Sequence, residues 1–225
     1  MIFKKYQKDL EYAYVFGAFG TIELLKHKPE KCISVLIDPS FVKNESFNII
    51  KELCRQYQID IVIDKKSVDK IRDKGNIYVI GVFKKYQIEL TNKKHIVLYN
   101  IQDVGMIGTM IRSLRGFYFE NLVLIHCDID LFDEHLIRST MGAFFSTNIQ
   151  QFEKIEDYIQ KYAIQNLFLI SKSGEDLVKM NKKEEYSLIF SKIDFEYKDL
   201  KKIKMDKDIA LDHLINIVLF YFNKK

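Results

Sequence analysis

Apolar runs alternate with stretches of helical periodicity along this chain, and the alternation predicts an α/β protein. In the first part, the apolar run at residues 32–37 stops at Asp38 and Pro39, as a strand does where it meets a turn. Residues 45–57 then carry apolar side chains at helical spacing on one face. The elements predicted here are strands at 32–37, 59–63 and 77–82 and helices at 45–57 and 67–72.

The second part follows a polar connection at residues 84–94 and shows the same alternation over a greater length. Strands that alternate with helices predict a parallel sheet covered by helices on both faces. The elements predicted here are strands at 95–99, 121–125, 166–170 and 186–190 and helices at 107–117 and 134–139. A final helix is predicted from one apolar stripe, formed by Leu211, Leu214, Ile215, Val218, Leu219 and Phe222.

The composition is that of a folded protein. Of 225 residues, 48% are hydrophobic and only two are proline, which excludes a disordered chain and allows one large or two small domains. No apolar run reaches the roughly 18 residues that cross a bilayer, and the first residues lack the apolar region of a signal peptide. Three cysteines at irregular spacing are typical of reduced thiols. We therefore expect a cytoplasmic protein with no membrane partner.

The net charge of +4 does not by itself identify a nucleic-acid-binding protein. Most of the clustered lysines fall in the first hundred residues. Two interpretations of these clusters remain open, namely a nucleic-acid surface and a set of solvated loops and helix ends.

Strand 95–99 leads into a turn with Gly105 and Gly108, and the helix that carries Arg112 begins there. In open α/β sheets, ligands bind at the carboxyl ends of the strands. Arg112 is therefore a candidate to hold a phosphate or a ribose hydroxyl. The alternative is an ordinary strand-to-helix turn whose arginine pairs with a surface carboxylate.

A second segment couples an arginine to small residues, in the order Arg138-Ser-Thr-Met-Gly142-Ala. Hydroxyls beside glycine and alanine form a junction where backbone can approach a ligand or another chain. The alternative is a helix that ends with Gly142 as its C-cap.

In this order and spacing, both segments resemble motifs of the TrmH/SpoU family of RNA ribose 2′-O-methyltransferases, in the SPOUT class. The family's Asp-Pro-Gly-Asn-x-Gly-x-x-x-Arg-Thr stands here as Asp103-Val-Gly-Met-Ile-Gly108-Thr-Met-Ile-Arg112-Ser. The family's Asp-x-x-Asp-x-x-x-x-Arg-x-Ser-x-Gly-Ala is matched by residues 130–143. The first part of the chain also resembles the family's substrate-binding domain, a small L30e-like α/β fold.

The resemblance implies an L30e-like RNA substrate-binding domain at residues 1–88 and a SPOUT methyltransferase domain at residues 94–225. The second domain would be a parallel-sheet domain with a deep trefoil knot, and the protein would be a homodimer. S-adenosyl-L-methionine would be the cofactor. The target would be a ribose 2′-hydroxyl in tRNA or rRNA, with RNA rather than DNA as the partner.

The resemblance also assigns roles to individual residues. Arg112 and Thr140 match catalytic positions, and Gly108, Arg138 and Ser139 match positions that contact RNA. The positions that match the family's third motif, and would therefore bind the cofactor, are Ser191, Ile203, Met205, Leu211 and Asp212.

The third motif departs from the family pattern in residue type while it keeps the strand, the Ile-x-Met and the apolar last helix. Ser191 stands in place of a glycine and Asp212 in place of an asparagine, and no glycine follows Gly174. Two alternatives to a working methyltransferase follow from these departures. One is a degenerate homologue that acts as a non-catalytic RNA-binding or assembly module, and the other is a partner subunit of an active relative.

Two further groups of residues have competing interpretations. Residues 126–135 are dense in possible zinc ligands, but they do not fit a calcium loop, and the resemblance uses them as the start of its second motif. We therefore expect no metal. Tyr78, Phe83 and Tyr86 are candidates to stack on unpaired bases, although packing within strands is the interpretation that we favour.

Overall fold

The computed structural model of the chain describes residues 3–72, 75–91, 94–163, 166–177, 185–205 and 209–223. The chain divides into two compact units. The first comprises Met1–Tyr86 and Asp130–Ser146, and the second comprises Gln87–Ile129 and Thr147–Lys225. The predicted domains, 1–88 and 94–225, differ from these units in that residues 130–146 pack with the first unit and residues 87–88 belong to the second.

Strands and α-helices alternate along the described residues, with short 3₁₀ turns between some of them. In chain order they are β1 (Tyr12–Phe16), α1 (Ala18–His27), β2 (Cys32–Ile37), α2 (Glu45–Tyr57), β3 (Asp60–Ile63), α3 (Lys65–Ile71), β4 (Val79–Lys84), β5 (Lys94–Tyr99), α4 (Val104–Gly116), β6 (Asn121–Ile125), α5 (Glu134–Ser139), β7 (Asn148–Phe152), α6 (Ile155–Tyr162), β8 (Leu167–Ser171), β9 (Glu175–Asp176), β10 (Tyr186–Ser191), β11 (Leu200–Lys204) and α7 (Leu211–Asn223).

The first unit is built on a four-stranded sheet in the order β1-β4-β2-β3. The pairs β1–β4 and β2–β4 are antiparallel, and the pair β2–β3 is parallel. Gly81 in β4 allows α1 to lie close to this sheet. A Cβ at Gly81 would be 2.8 Å from Val15 Cγ1 and 3.0 Å from Leu24 Cδ2, which is closer than carbon atoms pack.

Residues 130–146 belong to the first unit because aromatic side chains anchor them there. The ring of Phe145 lies edge-on to Phe83 with centroids 5.2 Å apart, and Phe132 meets Tyr86 at 5.9 Å. Helix α5 packs against β1. These contacts join residues that are far apart in the sequence, so the periodicity of the sequence does not predict them.

The second unit is a seven-stranded parallel sheet in the order β7-β6-β5-β10-β8-β11-β9. Every residue of β6, β8 and β10 is buried, as expected for central strands with both faces covered. Helix α7 contacts α4 and β10. Among the described residues, no helix has the length and apolar character needed to cross a membrane.

A buried polar chain joins β5, α6 and β10 at the amino ends of the strands. His95 Nδ1 lies 2.8 Å from the hydroxyl of Tyr158, and that hydroxyl lies 2.6 Å from Ser187 Oγ. The other ring nitrogen of His95 contacts the carbonyl of Thr91. Burial lowers the pKa of His95, so the imidazole is neutral at pH 7 and has a partner on both sides.

Candidate active site

Helix α4 begins directly after β5, at the carboxyl edge of the parallel sheet. Asp103 is its N-cap, and the carboxylate accepts a hydrogen bond of 2.9 Å from the amide of Met106. This cap satisfies one of the amides that a helix start leaves open. The turn after β5 therefore has a defined geometry and leads into an exposed first turn at Gly105.

Arg112 is exposed on α4, about two helical turns after this start. One terminal nitrogen of the guanidinium donates a 3.0 Å hydrogen bond to Thr109 Oγ1, and that hydroxyl donates to the carbonyl of Gly105 at 3.0 Å. The guanidinium is thus directed back toward the first turn. It carries five N–H donors, and the bond to Thr109 uses only one of them.

Gln102 joins the loop after β5 to the loop after β6. Its Nε2 donates to the carbonyl of His126 at 2.9 Å, and its Oε1 accepts from the amide of Asp128 at 2.8 Å. Neither Gln102 nor Thr109 is among the site residues predicted from the sequence. Thr109 could have been found, because it lies three residues before Arg112 and therefore on the same helix face.

Three rings follow one another along the carboxyl ends of β6, β5 and β10. Tyr99, the last residue of β5, is stacked with Phe195 at a centroid distance of 4.3 Å and an interplanar angle of 24°. On the β6 side, His126 is near-parallel to Tyr99 at 6.4 Å and 22°. We call His126, Tyr99 and Phe195 the aromatic row.

The predicted cofactor residues lie in the same unit, in and after β10 and β11. Ser191 is the buried last residue of β10, and its hydroxyl accepts from the amide of Ile193 at 3.2 Å. Ile203 in β11 is fully buried, and the amide of Met205 donates to the carbonyl of Ser171 at 2.9 Å. The loop between β10 and β11 is fixed by a 2.5 Å hydrogen bond from Ser171 Oγ to Asp194.

Leu211 and Asp212 begin α7, and both are half-buried. The carboxylate of Asp212 accepts from the amide of His213 at 3.0 Å and can also accept from ribose hydroxyls or an ammonium group. A carboxylate also complements the positive charge of a sulfonium. These hydrogen-bonding groups and this charge suit a cationic nucleoside. The residues that would hold it are Asp212 and, through their backbone, Ser191, Ile203, Met205 and Leu211.

The second arginine segment lies in the first unit and is organised by packing. Thr140 is fully buried, and its hydroxyl donates to the carbonyl of Ile137 at 2.7 Å. Gly142 has φ +81°, and a Cβ there would be 2.7 Å from Glu23 Cγ. Arg138 by contrast is exposed.

The predicted site residues therefore divide between the units. Arg112, Gly108 and the cofactor residues belong to the second unit, whereas residues 138–140 belong to the first. Gly108 is buried within α4. Ser139 is half-buried, and its hydroxyl donates to the carbonyl of Leu136 at 2.7 Å.

Residues 126–135, which are dense in possible metal ligands, have other contacts. Asp130 accepts a 2.6 Å hydrogen bond from the hydroxyl of Tyr6, and Asp133 caps α5 by accepting from the amide of His135 at 2.8 Å. Within the described part of the chain, no group of three or more His, Cys, Asp or Glu side chains could hold a metal ion. Of the predicted base-stacking candidates, Phe83 is fully buried and Tyr78 is 42% exposed.

Residues 93–192 match the model of the SpoU rRNA methylase family. The matched range contains α4 with Arg112 and both arginine segments. Residues 93–192, less than half of the chain, are thus similar to the SpoU rRNA methylase family. The match to the SpoU family ends one residue after Ser191, so four of the five predicted cofactor residues lie beyond it. No curated protein sequence matches the chain.

Solved structures of SpoU/TrmH proteins share the fold. A TrmH-family protein from Porphyromonas gingivalis has a TM-score of 0.76 at 14% identity, over 94% of this chain and 89% of that chain. An rRNA methyltransferase from Sinorhizobium meliloti has a TM-score of 0.75 at 17% identity, over 94% of this chain and 86% of that chain. The SpoU methyltransferase AviRb from Streptomyces viridochromogenes, in complex with the cofactor AdoMet, has a TM-score of 0.74 at 14% identity. The match covers 95% of this chain and 90% of that chain. The α/β fold with its seven-stranded parallel sheet is thus that of SPOUT methyltransferases.

Proposed function

We propose that this chain methylates RNA, transferring a methyl group from S-adenosyl-L-methionine to a ribose 2′-hydroxyl of a tRNA or an rRNA. The observation that carries this proposal is the exposed Arg112, directed toward the start of α4 at the carboxyl edge of the sheet, within the residues that match the SpoU family. A ribose hydroxyl is a poor nucleophile, so methyl transfer gains from a group that positions and polarises it.

Arg112 would perform this task as a cation rather than as a base, because a guanidinium stays protonated in proteins. Its fork of donors suits the phosphate beside the target ribose. The hydrogen bond to Thr109 restricts the side chain, which lowers the entropy lost when RNA binds.

When bound, S-adenosyl-L-methionine supplies a methyl group activated by its sulfonium. The backbone at Ser191, Ile203, Met205 and Leu211 would hold its nucleoside, and Asp212 would accept hydrogen bonds from its polar groups. The amide of Met205 is already bonded to Ser171, so hydrogen bonds to the cofactor from this loop would come from other backbone groups.

The first unit would bind the RNA substrate as an L30e-like domain. Arg138 is exposed and suits a phosphate, and Ser139 and Gly108 are the other proposed RNA contacts. Thr140, proposed as catalytic, would act through its place at the end of α5, since its hydroxyl is bonded to Ile137. Cys32, Cys54 and Cys127 are free thiols, which supports a cytoplasmic location.

A trefoil knot and a homodimer complete the proposal. The knot is supported by the sheet order, in which β10 lies between β5 and β8, and by the return of α7 to α4. The homodimer is supported by Ile217 and Phe220 on α7, which are 43% and 53% exposed. A second copy would remove this apolar surface from water. A monomer by light scattering would contradict the dimer.

A second candidate function is a non-catalytic RNA-binding or assembly module. It is favoured by one observation, the end of the family match at residue 192, before β11 and α7. In this case the fold and the RNA surface would remain while cofactor binding is lost.

Two measurements test the proposal. Mapping of 2′-O-methyl groups in RNA from cells with and without the protein should show the loss of a single site. Calorimetric titration of the purified protein with S-adenosyl-L-methionine should release heat, and the cofactor should raise the melting temperature. Neither heat nor a thermal shift at millimolar cofactor, together with unchanged methylation, would favour the non-catalytic module.

A further inference from the structure

The aromatic row lies along the edge of the second unit where α/β sheets bind their ligands. Its three rings follow three neighbouring strands, since β6 pairs with β5 and β5 with β10. The central ring, Tyr99, is near-parallel to both of its neighbours. Near-parallel rings at the carboxyl edge of the sheet form a surface on which a planar ligand can stack.

Each ring of the row is held in place before any ligand binds. His126 has a left-handed backbone at φ 55°, its amide donates to Phe152 O at 3.0 Å, and its carbonyl accepts from Gln102. Tyr99 packs against the core below β5. Phe195 follows Asp194, whose carboxylate is bonded to Ser171. Rings ordered in advance lose little entropy on binding.

Packing accounts for part of this row but not for all of it. Tyr99 and Phe195 are half-buried and close the ends of their strands. The residue His126 is exposed, and its left-handed backbone would be adopted at less cost by glycine or asparagine. An exposed imidazole parallel to a tyrosine is therefore a feature that the core does not require.

We propose that an unpaired base of the RNA substrate stacks on the aromatic row. The inference rests on the proposed function, because it takes the partner at this edge to be an RNA substrate. Every base has a flat π face, and aromatic side chains bind unpaired bases by stacking on it. Arg112 lies on α4, which begins five residues after Tyr99 ends β5, and its charge suits the phosphate that accompanies such a base.

The test uses the full-length chain and a short single-stranded RNA that carries one 2-aminopurine, whose fluorescence is quenched when it stacks. Affinity is measured by anisotropy without cofactor. His126→Asn removes a ring and keeps a residue that tolerates the left-handed backbone. Tyr99→Leu and Phe195→Leu remove rings and keep apolar volume. Tyr118→Ala is the matched control, because Tyr118 is 87% exposed in the same unit but outside the row.

Removal of His126 or Tyr99 should weaken RNA binding by roughly fivefold or more, the lower end of what stacking on one base contributes, and should reduce the quenching. Tyr118→Ala and Tyr99→Phe should bind as the wild type does. Melting curves show which variants remain folded, and the exposed His126 keeps the test decisive if Tyr99→Leu unfolds.

Three outcomes separate the base-stacking proposal from the proposed methyltransferase function. Weaker binding by the ring variants alone supports base stacking. Wild-type affinity and quenching in His126→Asn and Tyr99→Leu, with RNA binding and methylation intact, would overturn the stacking role and leave the methyltransferase standing. A wild-type protein that binds no RNA would overturn both.

Discussion

The two arginine segments look alike in sequence, yet the protein uses their small residues differently. In the first segment, Gly105 is exposed and a Cβ there would meet only the Asp103 carboxylate, at 3.3 Å. In the second, Gly142 is buried with positive φ, and a Cβ there would overlap Glu23. A glycine beside an arginine can therefore leave room for a ligand in one place and for the protein's own helix in another.

The hydroxyls of the two segments differ in the same way. Thr109 accepts a hydrogen bond from the exposed Arg112 and so orients a functional group. Thr140 is fully buried, and its hydroxyl bonds to backbone groups of Ile137 and Phe144, near its own helix end. We therefore expect the first segment to contact a ligand, whereas the second fixes the packing next to an exposed Arg138. Substitutions can test this distinction one residue at a time.

Arg112→Ala should have the largest effect. We expect methylation of the target RNA to fall by roughly 100-fold or more, the typical cost of removing one preorganised donor at a reacting centre. The melting temperature should stay near that of the wild type, because the side chain is exposed. Arg115→Ala, a second exposed arginine on α4, is the control. Unchanged methylation in Arg112→Ala would remove the main support for the proposed function.

Gly142→Ala should destabilise the protein by about 2–4 kcal/mol, since it combines a left-handed alanine with overpacking against Glu23. Urea unfolding measures this loss. The matched control is Gly75→Ala, because a Cβ at Gly75 would meet nothing within 4 Å. Equal stability of the two variants would show that Gly142 is not required for packing.

Thr140→Val should cost about 1–2 kcal/mol of unfolding free energy, because it removes a buried hydroxyl while the partner carbonyl stays in place. Thr140→Ser keeps the hydroxyl and should retain most of the stability. If methylation is lost in Thr140→Val at full stability, the hydroxyl has a direct catalytic role instead.

Gly105→Ala should have the smallest effect on stability, less than about 1 kcal/mol, because alanine favours the helix while its Cβ is near the capping carboxylate. Methylation should nevertheless fall, since the new methyl group lies where RNA would approach the exposed first turn. A variant with wild-type methylation would show that this glycine is not a ligand contact.

Much of the fold could be predicted from periodicity. The predicted strands 32–37 and 121–125 and the helices 45–57 and 134–139 coincide with β2, β6, α2 and α5. Strand β7 was not predicted, because Gln150 and Gln151 interrupt its apolar pattern at the sheet edge. Helix α6 was not predicted either, although its buried Ile155, Tyr158 and Tyr162 are spaced three to four residues apart.

The candidate site could be predicted where it depends on residues that are close together in the sequence. The predicted helix with Arg112 is present as α4, since its periodicity depends on consecutive residues. The helix begins at Val104, however, so Gly105 and Gly108, predicted to form a turn before it, lie within the helix. The burial of Thr140 and the aromatic row could not be predicted. The first depends on residues 136–144 folding onto the first unit, and the second on three strands that become neighbours only in the sheet.

The membership of Asp130–Ser146 in the first unit has a consequence for synthesis on the ribosome. This unit buries Phe145 against Phe83, and between these two residues the chain forms β5 and β6, two strands of the other unit's sheet. The nascent chain must therefore extend past residue 146 before the amino-terminal unit can complete its core. A ribosome that pauses earlier would hold a partly formed amino-terminal unit with apolar rings still facing water.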